Sequence, residues 1–114
     1  MHEFALVRSL LSQVAQIVEA DGGGSVQEIR VRCGPLAGVE PTLMREAFAL
    51  LRRDSAFVEA ELVIREEPLR ARCRRCDQTF EPQRFRFRCP HCGSVDTITE
   101  SGDAVMIESV VVGG

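Results

Sequence analysis

Apolar residues recur at helical spacing over the first part of the chain. From Glu3 to about Glu19, Phe4, Val7, Leu11, Val14 and Val18 line one side with Leu6, Leu10 and Ile17 beside them, while Arg8, Ser12, Gln13, Gln16 and Glu19 fall opposite. The pattern predicts an amphipathic helix of about four or five turns. Asp21-Gly22-Gly23-Gly24 stops it, because glycine accepts the left-handed backbone of a helix C-cap. Between Val26 and Cys33 the period falls to two: Ile29, Val31 and Cys33 alternate with Glu28, Arg30 and Arg32, as in a half-buried strand. Gly34-Pro35-Leu36-Ala37-Gly38-Val39 breaks that strand. A second helix is predicted from about Pro41 to Arg53, with proline at a tolerated first position and Leu43, Met44, Ala47, Phe48, Leu50 and Leu51 on a broad apolar face. A second strand is predicted over roughly Phe57 to Glu66, with Val58, Ala60, Leu62 and Ile64 on one face and Glu59, Glu61 and Arg65 largely on the other. The last is Ala104 to Val112, where Val105, Ile107, Ser109 and Val111 alternate with Met106, Glu108, Val110 and Val112.

This order predicts an α+β fold: a small sheet of about three strands covered by two helices, with a zinc-ribbon-like four-cysteine module inserted. The boundaries predicted are 1–68 plus 104–114 for the α/β domain and 69–103 for the module. A chain of 114 residues with 45% apolar residues suffices for one core. A segment of about thirty residues could not bury one unaided and needs a staple. No stretch reaches the ~20 apolar residues of a membrane span, and no secretory signal opens the chain. A cytoplasmic protein is therefore expected, with no membrane partner. In that compartment thiols stay reduced, and clustered cysteines point to a metal.

Four of the five cysteines cluster. Cys73-x2-Cys76 and Cys89-x2-Cys92 are twelve residues apart. Each pair turns two thiolates onto one ion, and two pairs complete a tetrahedral shell. Four protein ligands leave no open position, so Zn(II) here would be structural. Gly93 is available for the tight turn after the second pair, and His91 is expected to face solvent beside the site. Cys33 ends a strand on its inward side and reads as a small buried residue. The basic residues are all arginine, and seven of them lie between Arg70 and Gly93 against only Asp77 and Glu81. With Phe85 and Phe87 interleaved, such a patch is compatible with a nucleic-acid-binding zinc ribbon. The net charge of −3 and the two negative charges of a zinc tetrathiolate argue against it. A thiol redox protein is the third reading, disfavoured by the paired spacing. No catalytic triad, Lys-bearing phosphate loop or open-shell zinc site is evident, so the chain is not read as an enzyme.

Met1-His2-Glu3 leads almost directly into the first helix. The Met1 amine, the His2 amide nitrogen and the His2 imidazole can close adjacent chelate rings on one ion, with the Glu3 amide or carboxylate completing the shell. Nitrogen-rich planar coordination favours Ni(II) or Cu(II). Taken with Gly34-Pro35-Leu36-Ala37-Gly38-Val39-Glu40-Pro41 and Cys89-Pro90-His91-Cys92-Gly93-Ser94, this opening resembles the HypA/HybF family of nickel metallochaperones for hydrogenase maturation. The resemblance spans the chain. It implies Ni(II) as cargo at Met1, His2 and Glu3, structural Zn(II) at Cys73, Cys76, Cys89 and Cys92, and delivery to a hydrogenase large subunit in concert with the GTPase HypB. A homodimer is compatible with it, and nucleic acid is not an expected partner. Phe4-Ala5, where relatives often have Leu-Ser, and the segment Ser101–Ile107 depart from the family pattern.

Overall fold

The structure is a computed structural model of the chain and describes residues 2–53 and 55–113. Helix α1 (His2–Ala20) is followed by strand β1 (Ser25–Cys33), helix α2 (Pro41–Leu51), strand β2 (Glu61–Glu66), the short strands β3 (Arg70–Cys73) and β4 (Thr79–Phe80), strand β5 (Thr97–Ser101) and strand β6 (Val105–Gly113). The strands form two three-stranded sheets, ordered β2-β1-β6 and β4-β3-β5. Two compact units result, one of residues 1–32, 39–65 and 106–114, the other of residues 33–38 and 66–105.

In the first unit α1 buries Val7, Leu10, Leu11, Val14 and Val18, most of the side its periodicity predicts, while Phe4 and Leu6 are half-buried. Ile17 falls outside this buried set, 48% exposed. The helix ends where expected: the Gly23 N–H returns to the Val18 carbonyl at 2.8 Å, closing a Schellman turn through Gly22 and Gly23 at positive φ. Helix α2 opens with Pro41 at its first position and Glu40 as its N-cap, the Glu40 carboxylate accepting from the Thr42 N–H at 3.4 Å. It buries Met44, Ala47 and Phe48, a narrower face than predicted, with Leu43 and Leu50 exposed. From β1 come Val26, Ile29 and Val31.

One predicted boundary is corrected. The alternation from Phe57 to Glu66 is not one strand, since β2 begins only at Glu61 and Val58 is 54% exposed. The Ser55 hydroxyl donates to the Arg52 carbonyl and accepts from the Phe57 N–H, both at 3.1 Å, and the Ala60 N–H then donates to Phe57. This side-chain competition for backbone groups makes a turn that buries Phe57 and Ala60. The second helix likewise stops at Leu51, two residues early.

The second unit is built on β3. It pairs antiparallel with β4, Ala71 opposite Phe80, and with β5, Cys73 opposite Thr97, with a shift of register between Arg70 and Ala71. Its small core is Ala71, Cys73, Phe80 and Cys89, with Cys76 and Phe87 packed against them. Gly34 belongs to this unit. A Cβ there would stand 2.1 Å from the Gly102 backbone, so glycine at 34 permits a contact that no side chain would allow. The Leu36 N–H donates to the Gly102 carbonyl at 2.9 Å beside it.

Candidate metal centres

The four clustered cysteines sit on two copies of one turn. The Asp77 N–H donates to the Cys73 carbonyl and the Cys73 N–H to the Gln78 carbonyl; the Gly93 N–H donates to the Cys89 carbonyl and the Cys89 N–H to the Ser94 carbonyl, each at 2.9 Å. The residue after the second cysteine takes positive φ in both, 65° at Asp77 and 76° at Gly93. Sequence reasoning assigned this role to Gly93 alone. Asp77 carries the same conformation because aspartate, like asparagine, tolerates the left-handed region better than most side chains.

These turns bring the four sulfurs within 4.8 Å of one another. Cys73 and Cys92 approach to 3.5 Å, as do Cys76 and Cys89. Zn–S bonds of about 2.3 Å in a tetrahedron require S···S edges of roughly 3.8 Å, so the donor set fits such an ion. The electrostatics agree. Main-chain N–H groups of Cys76 and Arg75, helped by the thiols of Cys92 and Cys76, draw the Cys73 thiol down to about 6 against the opposing effect of burial. Although the Gln78 N–H pulls Cys76 the other way, burial and the neighbouring thiols push it up to about 12. Cys92 is likewise raised, with the Ser94 N–H opposing and Cys73 the leading cause of the rise. One thiolate is thus favoured, and added negative charge at Cys76 or Cys92 is opposed unless a cation offsets it. Cys73 and Cys89 are buried, Cys76 half-buried and Cys92 exposed. His91 is exposed, and only its main-chain N–H meets the cage, donating to the Cys89 sulfur at 3.4 Å. Cys33 is buried.

Of the predicted nickel tripeptide, Met1 lies outside the described residues. His2 is the first residue of α1 and is exposed. Its amide precedes the first helical hydrogen bond, as do the next few of any helix. Glu3 is half-buried, and its carboxylate accepts from the Glu40 N–H at 3.1 Å. Its own main-chain N–H and that of Glu40 hold this carboxyl below the usual carboxylate range. The sequence marks Glu40 only as part of a motif and carries no sign of its contact with Glu3. An acid directly before Pro41 signals the N-cap alone. Among the described residues, the four cysteines are the one group of three or more metal-ligating side chains that converges.

A family model described as hydrogenase/urease nickel incorporation, metallochaperone, HypA matches residues 1–112. A hydrogenase maturation factor HypA from Aquifex aeolicus is 34% identical over 110 residues, covering 96% of each chain. One from Francisella philomiragia is 34% identical over 111 residues, covering 97% of this chain and 98% of its own. The solution structure of the Ni metallochaperone HypA from Helicobacter pylori superposes with a TM-score of 0.76 at 22% identity, covering 96% of both chains.

Proposed function

Because the chain belongs to the HypA family of hydrogenase/urease nickel-incorporation metallochaperones, we propose that it takes up Ni(II) at Met1, His2 and Glu3 and delivers it to the large subunit of a nickel–iron hydrogenase. Proteins of this family are maturation factors and not enzymes, so their chemistry is the capture and release of cargo. The observation that carries the proposal is the place of His2, exposed at the very start of α1 and beside amides that no helical carbonyl claims. A helix N-terminus repels a bare cation. Deprotonation of the His2 amide turns that donor into an anionic ligand, and the Met1 amine and His2 imidazole add neutral nitrogens. The Glu3 carboxylate, already ionised and anchored on the Glu40 N–H, supplies compensating negative charge at this end.

In the same reading Cys73, Cys76, Cys89 and Cys92 hold Zn(II), which fixes the shape of the second unit and takes no part in transfer. The nickel-handling GTPase HypB and the hydrogenase large subunit are the proposed protein partners, a homodimer the proposed assembly, and the cytoplasm the proposed compartment. Metal analysis of untagged protein, with and without added nickel, tests the assignment. His2→Ala is expected to lose nickel and keep its zinc and its helical circular dichroism. Nickel retained at the wild-type affinity would refute the site. A residue added before Met1, which converts the amine to an amide, is expected to have the same effect as His2→Ala.

A further inference from the structure

The segment between Phe80 and Cys89 is anchored at both ends. Phe80 is buried, Phe87 packs against the four-cysteine cluster, and Cys89 is itself one of the four. Between these anchors Gln83–Phe85 form a single turn closed by the Arg86 N–H on the Gln83 carbonyl at 3.0 Å. Arg84 and Phe85 both take positive φ, 51° and 60°, where glycine would be the unstrained choice. The turn therefore holds two large side chains in a disfavoured backbone. Such strain concentrates at segments that present side chains to ligands.

What it presents is specific. Phe85 is 59% exposed and is the one exposed phenylalanine among the described residues, whereas Phe87, two residues on, turns inward. The arginines nearby divide into two groups. Arg72 pairs with Asp77 and Glu100, Arg74 lies 3.7 Å from Asp96, and Arg88 donates to the Gly93 carbonyl. Arg70, Arg75, Arg84 and Arg86 are exposed and have no ion pair among the described residues, and of these Arg84 and Arg86 flank Phe85.

We propose that this turn is a docking element for an acidic protein segment, with Phe85 as the apolar anchor and Arg84 and Arg86 as its charge partners. Aromatic and arginine side chains dominate interface hot spots, and a few such residues carry most of the binding energy. Arginine adds a planar fork that matches carboxylates in two hydrogen bonds. Single-stranded nucleic acid is the competing ligand for arginine and phenylalanine together. It needs a groove that tracks many phosphates and successive aromatic platforms. A single exposed ring flanked by two unpaired arginines offers no succession of aromatic platforms, and it fits a compact acidic patch better.

Fluorescence anisotropy with a labelled peptide of glutamates around one leucine tests the proposal on the zinc-loaded full chain. Binding that weakens with salt is expected, with no binding of the same peptide carrying lysine for glutamate. The double variant Arg84→Glu, Arg86→Glu should lower affinity by about tenfold or more. Phe85→Ala should lower it several-fold while leaving the salt dependence in place. Unchanged zinc content and thermal midpoint in each variant show that the fold is intact. The proposal is overturned if the acidic peptide fails to bind, if the variants bind it like the wild type, or if oligo-uridylate binds more tightly than the peptide.

Discussion

Asp77 and Gly93 stand at the same place in two copies of one turn, and only one of them is glycine. No heavy atom lies within 4 Å of a Cβ built on Gly93, so any cost of a side chain there is backbone strain alone. Gly93→Ala is expected to destabilise the second unit by about 1 kcal/mol, and Gly93→Asn by less, because asparagine tolerates that conformation. Thermal unfolding of the zinc-loaded variants measures the difference. The thiols allow a second prediction at this scale. Cys76 is pushed up to about 12 and Cys92 is also raised, so both thiols must give up protons when a thiolate-bound metal enters at neutral pH. Zinc titrations by calorimetry in buffers of different ionisation enthalpy should show this proton release, and buffer-independent heats would contradict it.

Among the elements, the sheet β2-β1-β6 is tied across one face by charge. Glu108 of β6 accepts from Arg65 of β2, Nε at 3.1 Å, and lies 3.7 Å from Arg32 of β1, so one carboxylate links all three strands. The hydrogen bond from Arg65 is the main cause that lowers the Glu108 pKa, with the charges of Arg65, Arg32 and Arg30 adding to it. A lowered folded-state pKa places the stabilisation above the unfolded value and removes it as pH falls through the folded one. Glu108→Gln should therefore reduce stability at neutral pH and flatten the loss of stability below the ordinary carboxylate pKa of 4.5. Chemical denaturation of both proteins across acid pH reads this directly. Legibility in the sequence also varied by element. Helix α1 and strands β1 and β6 declared themselves, because each is long enough to repeat its period. Strands β3 and β4 hold four and two residues, too few to show any alternation, and their place is set by Cys73 at the end of β3 and by the pairing of β3 with both β4 and β5. The Phe57–Ala60 turn mimicked a strand because a Ser55 side chain, not an apolar pattern, decides its course. The cysteine cage was visible in its spacing. The Glu3 to Glu40 contact was not, since it joins residues 37 apart through a main-chain N–H that carries no residue signature.

At the scale of the whole molecule, cohesion has different sources in the two units. Both helices belong to the first unit, whose buried residues include Val7, Val14, Ile29, Val31 and Met44. The second unit has a core of four residues, two of them cysteines of the cage, and segments of that size seldom fold without a staple. Stripping the thiolate-bound metal should therefore unfold one unit and spare the other. A strong chelator, or Cys76→Ser or Cys92→Ser, is expected to open residues 66–105 to limited proteolysis while the helical signal in far-ultraviolet circular dichroism persists. The sign of the effect follows from the first unit having a set of buried apolar residues of its own, none of them a cysteine of the cage. If chelation instead melted the helices together with the cysteine unit in one transition, the two units would be a single cooperative structure. Separate transitions, with nickel uptake by His2-bearing protein surviving the loss of zinc, are the outcome this division of cores predicts.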